Sequence, residues 1–143
     1  MLAQAVGYAA AALGRLAMSG GKPLLVKEIA EACDVPQAYL AKIVNTLARR
    51  GLVTTQRGIG GGVALARPAE EITLFHLCEA LGDPIVQQRC MLASAACSDT
   101  RSCPAHSFWK EHRARQLEFL HGTTIASIAA FEARQQRGLS PEA

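Results

Sequence analysis

Apolar residues recur at helical spacing along most of this chain. The pattern predicts an amphipathic first helix within the first eighteen residues. Its apolar positions are Leu2, Val6, Ala9, Leu13, Leu16 and Ala17. The alanine-rich start has no basic flank and is interrupted by Arg15, so we interpret it as folded domain and not as a signal peptide. Since no apolar run reaches about 18 residues, the sequence predicts no membrane association and a cytoplasmic protein.

Residues 26–51 have the pattern of two helices joined by a tight turn. Ile29, Ala30 and Ala32 would line a short helix over residues 26–32, and residues 33–35 would form the turn. Pro36 suits the first position of the next helix, because its missing N–H has no helical partner there. The buried face of that helix would hold Tyr39, Leu40, Ile43, Val44 and Leu47. Arg49, Arg50 and then Gly51 are typical of a helix end. This arrangement predicts a helix-turn-helix.

The residues after Gly51 predict a β-hairpin. One strand would cover residues 52–56, a glycine-rich tip residues 58–62, and a second strand residues 63–66. A hairpin directly after a helix-turn-helix makes a winged helix-turn-helix domain. A phosphate-binding loop is the rival interpretation of the glycines. It is excluded because no Gly-Lys-Ser/Thr follows and the loop joins two strands.

The polar face of this unit carries the candidate DNA-binding residues. Gln and Asn side chains bond to base edges, and Lys reaches phosphate or guanine. Glycines let the backbone approach DNA closely, and an arginine at the tip can enter a narrow minor groove. The candidates are Gln37, Ala38, Tyr39, Lys42, Asn45, Arg57, Gly58, Gly60 and Gly61. A helical hairpin with a solvated polar face is the alternative.

Charge is distributed unevenly over the 143 residues. Residues 1–67 contain eight Lys or Arg and three Asp or Glu, so their net charge is +5, against −2 for residues 68–143. A basic front half fits a polyanionic partner such as double-stranded DNA.

Three of the five cysteines and one histidine fall within one short segment. Cys90, Cys97, Cys103 and His106 are spaced C-x6-C-x5-C-x2-H. Disulfides are disfavoured in a cytoplasmic protein, and Cys33 and Cys78 lie in apolar helical patterns typical of core thiols. Zinc, an iron–sulfur cluster and unligated, peroxide-sensitive thiols remain open from the residues alone.

The chain resembles the Rrf2 family of bacterial transcription regulators in five stretches. These are Tyr8-Ala9, VKEIAEACDVPQAYLAKIVNTLARRGLV, RGIGGGVALARP, ITLFHLCEALGDP and the cysteine segment ending CPAHSFW. The last is similar to the iron–sulfur cluster biogenesis (IscR-type) branch. The resemblance implies a homodimeric winged-helix repressor or activator. It further implies an iron–sulfur cluster, [2Fe-2S] favoured over [4Fe-4S], held by Cys90, Cys97, Cys103 and His106, whose state alters DNA affinity.

Three positions depart from the family pattern. The gap between Cys90 and Cys97 is one residue longer than is usual in that branch. Gly7 stands where the nitric-oxide-sensing branch has an aspartate ligand, and residues 1–18 contain no Asp, Glu, His or Cys, which favours His106. Ala41 stands where the biogenesis regulators have an acidic residue used in operator choice, so the operator sequence does not carry over.

The spacing of the sulfurs bears on the choice of metal. Structural zinc sites usually pair ligands two to four residues apart, which here holds for Cys103 and His106 alone. The wider gaps fit a loop around a larger object, and histidine can replace cysteine at a cluster iron. An enzyme is not predicted, because no activated nucleophile or paired acid and base stands out. The alternatives are a cluster-free thiol or small-molecule regulator, and a zinc-stabilised protein-binding adaptor.

The last third predicts two helices. The first would start at a Ser107 cap and run to Gly122 with Leu117, Phe119 and Leu120, and the second would carry Ile125, Ile128, Ala129 and Phe131. A small winged domain does not need a long extra helix, and a palindromic operator needs a two-fold protein. The fold expectation is mainly α with a small β-hairpin. It comprises a winged helix-turn-helix domain over residues 1–84, a cluster-binding loop over 85–106, dimerisation helices over 107–136 and a disordered tail over 137–143.

Overall fold

The computed structural model describes residues 1–92, 95–96, 98–101 and 103–138. These residues form six α-helices and one two-stranded hairpin, which confirms a mainly α fold. The elements are α1 (Gln4–Met18), α2 (Val26–Cys33), α3 (Gln37–Arg49), β1 (Val53–Gln56), β2 (Gly62–Leu65), α4 (Leu74–Leu81), α5 (His106–Gly122) and α6 (Ile125–Gln136). Short 3-10 helices cover Ala69–Glu71 and Pro84–Val86.

The turn between α2 and α3 depends on one left-handed residue. Asp34 has φ 54°, a conformation that Asp tolerates better than most side chains. The reversal lets the N–H of Val35 donate to the carbonyl of Ala30 at 3.0 Å. Pro36 is the N-cap of α3, one position earlier than predicted. The core face of α3 is buried as expected at Leu40, Ile43, Val44 and Leu47.

The hairpin is antiparallel, with Val53 opposite Leu65 and Gln56 opposite Gly62. Leu24 forms an isolated bridge with Val63, so a short segment before α2 extends the sheet. Gly62 is required there. Its φ is 140°, and a Cβ would lie 2.6 Å from the carbonyl oxygen of Leu24. The wing is therefore fixed to the body of the domain at its base.

Helix α1 is the centre of the core, packed by α2, α3, α4 and α6. Val6 and Ala9 are fully buried and Leu13 is 1 % exposed. Gly14 lets α6 approach closely, because a Cβ there would lie 3.1 Å from Cγ2 of Ile128. One face of α6 thus completes the core of its own chain.

The histidines outside the cysteine segment have structural roles. Nδ1 of His76 accepts a 3.0 Å hydrogen bond from the N–H of Thr73, and the Thr73 hydroxyl accepts from the N–H of His76. This reciprocal pair caps the first turn of α4. The ring of His121 stacks on Phe75 at 3.9 Å, and His112 stacks on Phe108 at 5.6 Å.

Helix α5 differs in detail from the prediction. It begins at His106, and its N-cap is Ala105 without a side-chain cap, so the predicted Ser107 cap is wrong. Leu120 is buried, whereas Phe108 and Phe119 are each 61 % exposed. The predicted disordered tail lies outside the described residues from 139 onward. Among the described helices, none combines the length and apolarity needed to cross a bilayer.

Candidate DNA-binding surface and cysteine loop

Helix α3 presents a polar face to solvent. Gln37, Ala38, Lys42 and Asn45 are all exposed, because burial of the opposite stripe fixes the rotation of the helix. The face carries amide donors and acceptors and one ammonium group. These are the groups that read base edges and phosphates in a major groove.

Tyr39, which the sequence pattern placed on the buried face of α3, is exposed to solvent and also contacts α1. It is 38 % exposed, and its ring meets Tyr8 of α1 edge to face, with ring centroids 5.6 Å apart and planes at 80°. Aromatic pairs prefer such T-shaped geometry. The contact joins the second turn of α1 to the first turn of α3, so the position of α3 depends on α1.

The glycine-rich tip of the hairpin is largely open to solvent. Arg57, Gly58 and Gly60 are exposed and Gly61 is half-buried. Gly58 and Gly60 have φ of 93° and 76°, conformations that favour glycine. A Cβ on Gly61 would collide with the carbonyl oxygen of Gln56. The tip glycines are therefore needed for the shape of the loop as well as for close approach to a ligand.

The cysteine loop is held between the end of the domain core and the first turn of α5. The indole N–H of Trp109 donates to the carbonyl of Arg89 at 2.8 Å. The N–H of Cys90 donates to the carbonyl of Ala95 at 2.9 Å. The first bond anchors the start of the loop to α5, and the second closes the loop on itself.

The loop brings two predicted ligands together. The Sγ atoms of Cys90 and Cys103 are 3.4 Å apart. Cys90 is 7 % exposed, and its sulfur accepts a 3.4 Å hydrogen bond from the N–H of Leu92. Two thiolates on one tetrahedral metal centre, each about 2.3 Å from the metal, lie about 3.8 Å apart. The separation therefore fits two ligands of a single metal centre.

His106 lies beside the thiols but also contacts an acid that the sequence did not single out. Its Nε2 is 2.9 Å from Oδ1 of Asp99, and Nζ of Lys110 is 2.9 Å from the same oxygen. Two hydrogen bonds lower the pKa of the exposed Asp99 carboxyl. The bond from Lys110 has the larger effect and the bond from His106 the smaller one. An anionic partner of this kind orients the imidazole of a ligating histidine.

Cys90, Cys103 and His106 line one small pocket together with Arg101 and Trp109. Cys97, the remaining predicted ligand, lies outside the described residues. Within the part of the chain that the structure describes, no group of three or more Cys, His, Asp or Glu side chains is arranged to hold a metal ion. The described pair of thiols fits a metal in its donor atoms and separation, and a full ligand set would require Cys97 or movement of His106.

The two remaining cysteines belong to the helical body. Cys78 is fully buried, and burial raises the pKa of its thiol to about 11. Cys33 is half-buried. Its pKa is raised mainly by burial and to a smaller extent by the negative charge of Glu132. Both thiols are therefore protonated at neutral pH and poor nucleophiles or ligands.

Three residues around the loop were missed as functional candidates. Asp99 contacts both His106 and Lys110, and no periodic pattern in the sequence indicates these contacts. Asp83 lies between α4 and the loop, and its buried carboxylate accepts a hydrogen bond from the N–H of Ala3 at 2.7 Å. A lone buried acid at the end of an apolar helical run is the one sequence signal that could have pointed to it.

Comparison with known proteins gives a consistent result. The model of the Rrf2 family, described as "Iron-dependent Transcriptional regulator", matches residues 2–130. A "Putative HTH-type transcriptional regulator" of Aquifex aeolicus is 33% identical over 129 residues, covering 89% of this chain and 90% of the relative. The HTH-type transcriptional regulator IscR of Sodalis glossinidius is 29% identical over 126 residues, covering 87% and 76%. The solved structure of CymR, the global cysteine regulator of B. subtilis, superposes with a TM-score of 0.75 at 24% identity, covering 92% of this chain and 97% of that one.

Proposed function

The chain belongs to the Rrf2 family of transcriptional regulators, and we propose that it is a homodimer whose affinity for a palindromic operator is controlled by an iron–sulfur cluster in the 90–106 loop. As a member of this family it is a DNA-binding regulator and not an enzyme. The control by a cluster, the dimer and the operator symmetry are the proposal. The single observation that carries it is the 3.4 Å separation of the Cys90 and Cys103 sulfurs.

DNA recognition uses the exposed face of α3 and the wing. Gln37 and Asn45 read base edges in the major groove, Lys42 binds phosphate or guanine, and Arg57 enters the adjacent minor groove. The Tyr8 ring holds Tyr39, and so the start of α3, in a fixed position. The +5 charge of residues 1–67 draws this face toward the phosphates.

Dimerisation uses the exposed side of α5. Phe108 and Phe119 leave apolar surface uncovered. Phe119 also lines an open groove between Met1, Pro84 and Leu120. A second copy of α5 covers this groove in the proposed dimer. A two-fold arrangement presents the two α3 helices to major grooves about 34 Å apart, as a palindromic operator requires. Because one face of α6 already packs on α1, α5 supplies most of the interface.

Cys90, Cys97, Cys103 and His106 would hold the cluster, which when bound supplies a centre that oxygen, nitric oxide or iron starvation can alter. The protein responds to a change in the cluster by a change in conformation. The loop joins the domain core at Arg89 to the first turn of α5 at Trp109. Ordering or releasing the loop changes the angle between the two DNA-binding domains and thereby the spacing of the recognition helices.

The test is an absorption spectrum of protein purified without oxygen, with iron and acid-labile sulfide assayed on the same sample. We expect visible bands and about equal iron and sulfide. Cys97→Ala should remove both while the dimer stays folded by circular dichroism and size-exclusion chromatography. Cys33→Ala, a half-buried thiol far from the loop in sequence, should keep the wild-type spectrum. A normal cluster in Cys97→Ala would refute the ligand assignment.

A cluster-free thiol regulator is the second candidate, favoured by the same short sulfur–sulfur separation. Oxidation of Cys90 and Cys103 by hydrogen peroxide would form one disulfide and release two protons and two electrons, reducing the peroxide to two waters. Protein that stays colourless after anaerobic reconstitution with iron and sulfide, and in which peptide mapping after peroxide treatment finds the Cys90–Cys103 disulfide, would establish this candidate instead.

A further inference from the structure

Ile59 is a large apolar side chain that the fold leaves entirely in water. Its exposed fraction is 108%, so the residue is as open to solvent as in an extended chain. It lies at the tip of the hairpin between β1 and β2 and belongs to none of the described buried or partly buried residues of the core. Folding therefore gives no reason for isoleucine at this position.

A β-turn of the backbone holds Ile59 in a defined position. The N–H of Gly61 donates to the carbonyl of Gly58 at 3.0 Å, which closes a four-residue turn with Ile59 second. Gly60, the third residue, has φ 76°, as a type II turn requires. No side chain fits at Gly61, where a Cβ would collide with the Gln56 carbonyl. Ile59 is thus presented by a closed turn and not by an open, unconstrained loop.

We infer that Ile59 is an apolar wedge that enters the minor groove of the operator and partly unstacks one base step. This inference rests on the proposed DNA-binding function and adds a contact to it. Minor-groove proteins insert isoleucine, leucine or phenylalanine between base pairs at flexible steps. Such a contact makes no hydrogen bond, so it selects deformable steps rather than particular base edges.

The surroundings of Ile59 favour a groove in DNA over a protein partner. Arg57 lies two residues earlier, and the tip from 57 to 62 contains four glycines and no acidic residue. A single apolar side chain among glycines makes a narrow projection, which suits a minor groove about 6 Å wide. Protein-binding patches are broad and contiguous. Arg57 supplies attraction to the negative potential of the groove while Ile59 supplies the wedge.

The experiment uses the full-length wild-type protein and the duplex that it selects from a random pool. 2-Aminopurine replaces each adenine of that duplex in turn, and its fluorescence rises where a base is unstacked. We expect a rise at one step on each half-site with the wild-type protein. Ile59→Ser should lose that signal and bind about tenfold more weakly, because the variant no longer removes an apolar side chain from water on binding. The dependence of binding on salt should not change, because no phosphate contact is removed.

Two controls keep the result interpretable. Ile59→Val, which retains most of the apolar volume, should keep the fluorescence signal and bind within about threefold of wild type. Ile59→Ser should unfold at the wild-type urea midpoint, because the side chain is fully in solvent. Equal affinity and equal fluorescence for Ile59→Ser and wild type would overturn the wedge, as would an affinity loss without any unstacking in the wild-type complex. Failure of wild-type protein to select a duplex would instead refute the proposed function itself.

Discussion

The carboxylate of Asp83 accepts a 2.7 Å hydrogen bond from the backbone N–H of Ala3, 80 residues earlier in the chain. Its other oxygen accepts from the N–H of Ile85 at 2.9 Å, and the residue is 4% exposed. Asp83 therefore ties the start of α1, which carries Tyr8, to the segment that leads into the cysteine loop.

Asp83→Ala should lower the free energy of unfolding by about 2–3 kcal/mol, since it removes a charged acceptor from two backbone donors. Asp83→Asn keeps one acceptor oxygen and should lose less. Urea denaturation followed by circular dichroism measures both. Glu31→Ala, an exposed acid on α2, is the control and should change stability by less than about 0.5 kcal/mol. A similarly small change for Asp83→Ala would contradict the structural role of the contact.

Substitutions at two glycines of α1 should change the stability of the protein in opposite directions. Gly7 is exposed with open space around its Cα, whereas a Cβ on Gly14 would lie 3.1 Å from the Ile128 side chain. Gly7→Ala should therefore stabilise the protein by about 1 kcal/mol through helix propensity. Gly14→Val should destabilise it by about 1–3 kcal/mol, because α6 must move away from α1. Thermal unfolding of both variants checks the pair. A stabilised Gly14→Val would mean that α6 does not pack on α1 as described.

Lys42 and Gln37 should affect DNA binding in different ways. Lys42→Ala removes the charge that we propose binds phosphate, so affinity should fall about equally for all duplexes and the slope of log K against log salt should drop by about 1. Gln37→Ala should cost about 1–3 kcal/mol at one base pair and leave that slope unchanged. Fluorescence anisotropy titrations at several salt concentrations separate the two. Identical behaviour of the variants would argue against a base-reading face on α3.

The buried thiol of Cys78 predicts a loss of stability at alkaline pH. Its pKa is about 11 in the folded protein, raised by burial from an ordinary value of 9.0. The folded state binds the thiol proton more tightly than the unfolded state does. The stabilisation that this gives the folded state is therefore complete below pH 9 and is lost as the pH rises through 11. Over that window wild type should lose about 2–3 kcal/mol more than Cys78→Ala. Urea unfolding of both proteins between pH 8 and 11 measures the difference; parallel curves would contradict it.

Trp109 should protect the cysteine loop in metal-free protein. Its indole N–H donates to the Arg89 carbonyl at 2.8 Å, directly before the buried Cys90. Trp109→Phe removes that bond, worth about 1 kcal/mol, so the loop should open more often and Cys90 should react about fivefold faster with a thiol reagent. Mass spectrometry of timed alkylation gives the rate for each cysteine. Phe108→Leu, on the neighbouring exposed position, should leave the Cys90 rate unchanged, and an equal increase in both variants would rule out a specific role for the indole.

The sequence by itself determined the elements and the order in which they follow one another. The apolar stripe of α3 identifies the helix and leaves Gln37, Lys42 and Asn45 on the opposite face, because a helix period of 3.6 residues fixes both faces at once. The glycine-rich tip of the wing is equally local. Such features depend on residues a few positions apart, so a single sequence is enough to predict them.

Only the tertiary structure decided which distant residues meet. Asp83 lies 80 residues from Ala3, Trp109 lies 20 residues from Arg89, and α6 fills the space above Gly14 rather than extending away from the core. No periodicity in the chain encodes these pairs, because they depend on how helices pack in three dimensions. The exposure of Ile59 is of the same kind: the sequence shows an apolar residue between glycines, and the fold alone shows that none of the described residues covers it.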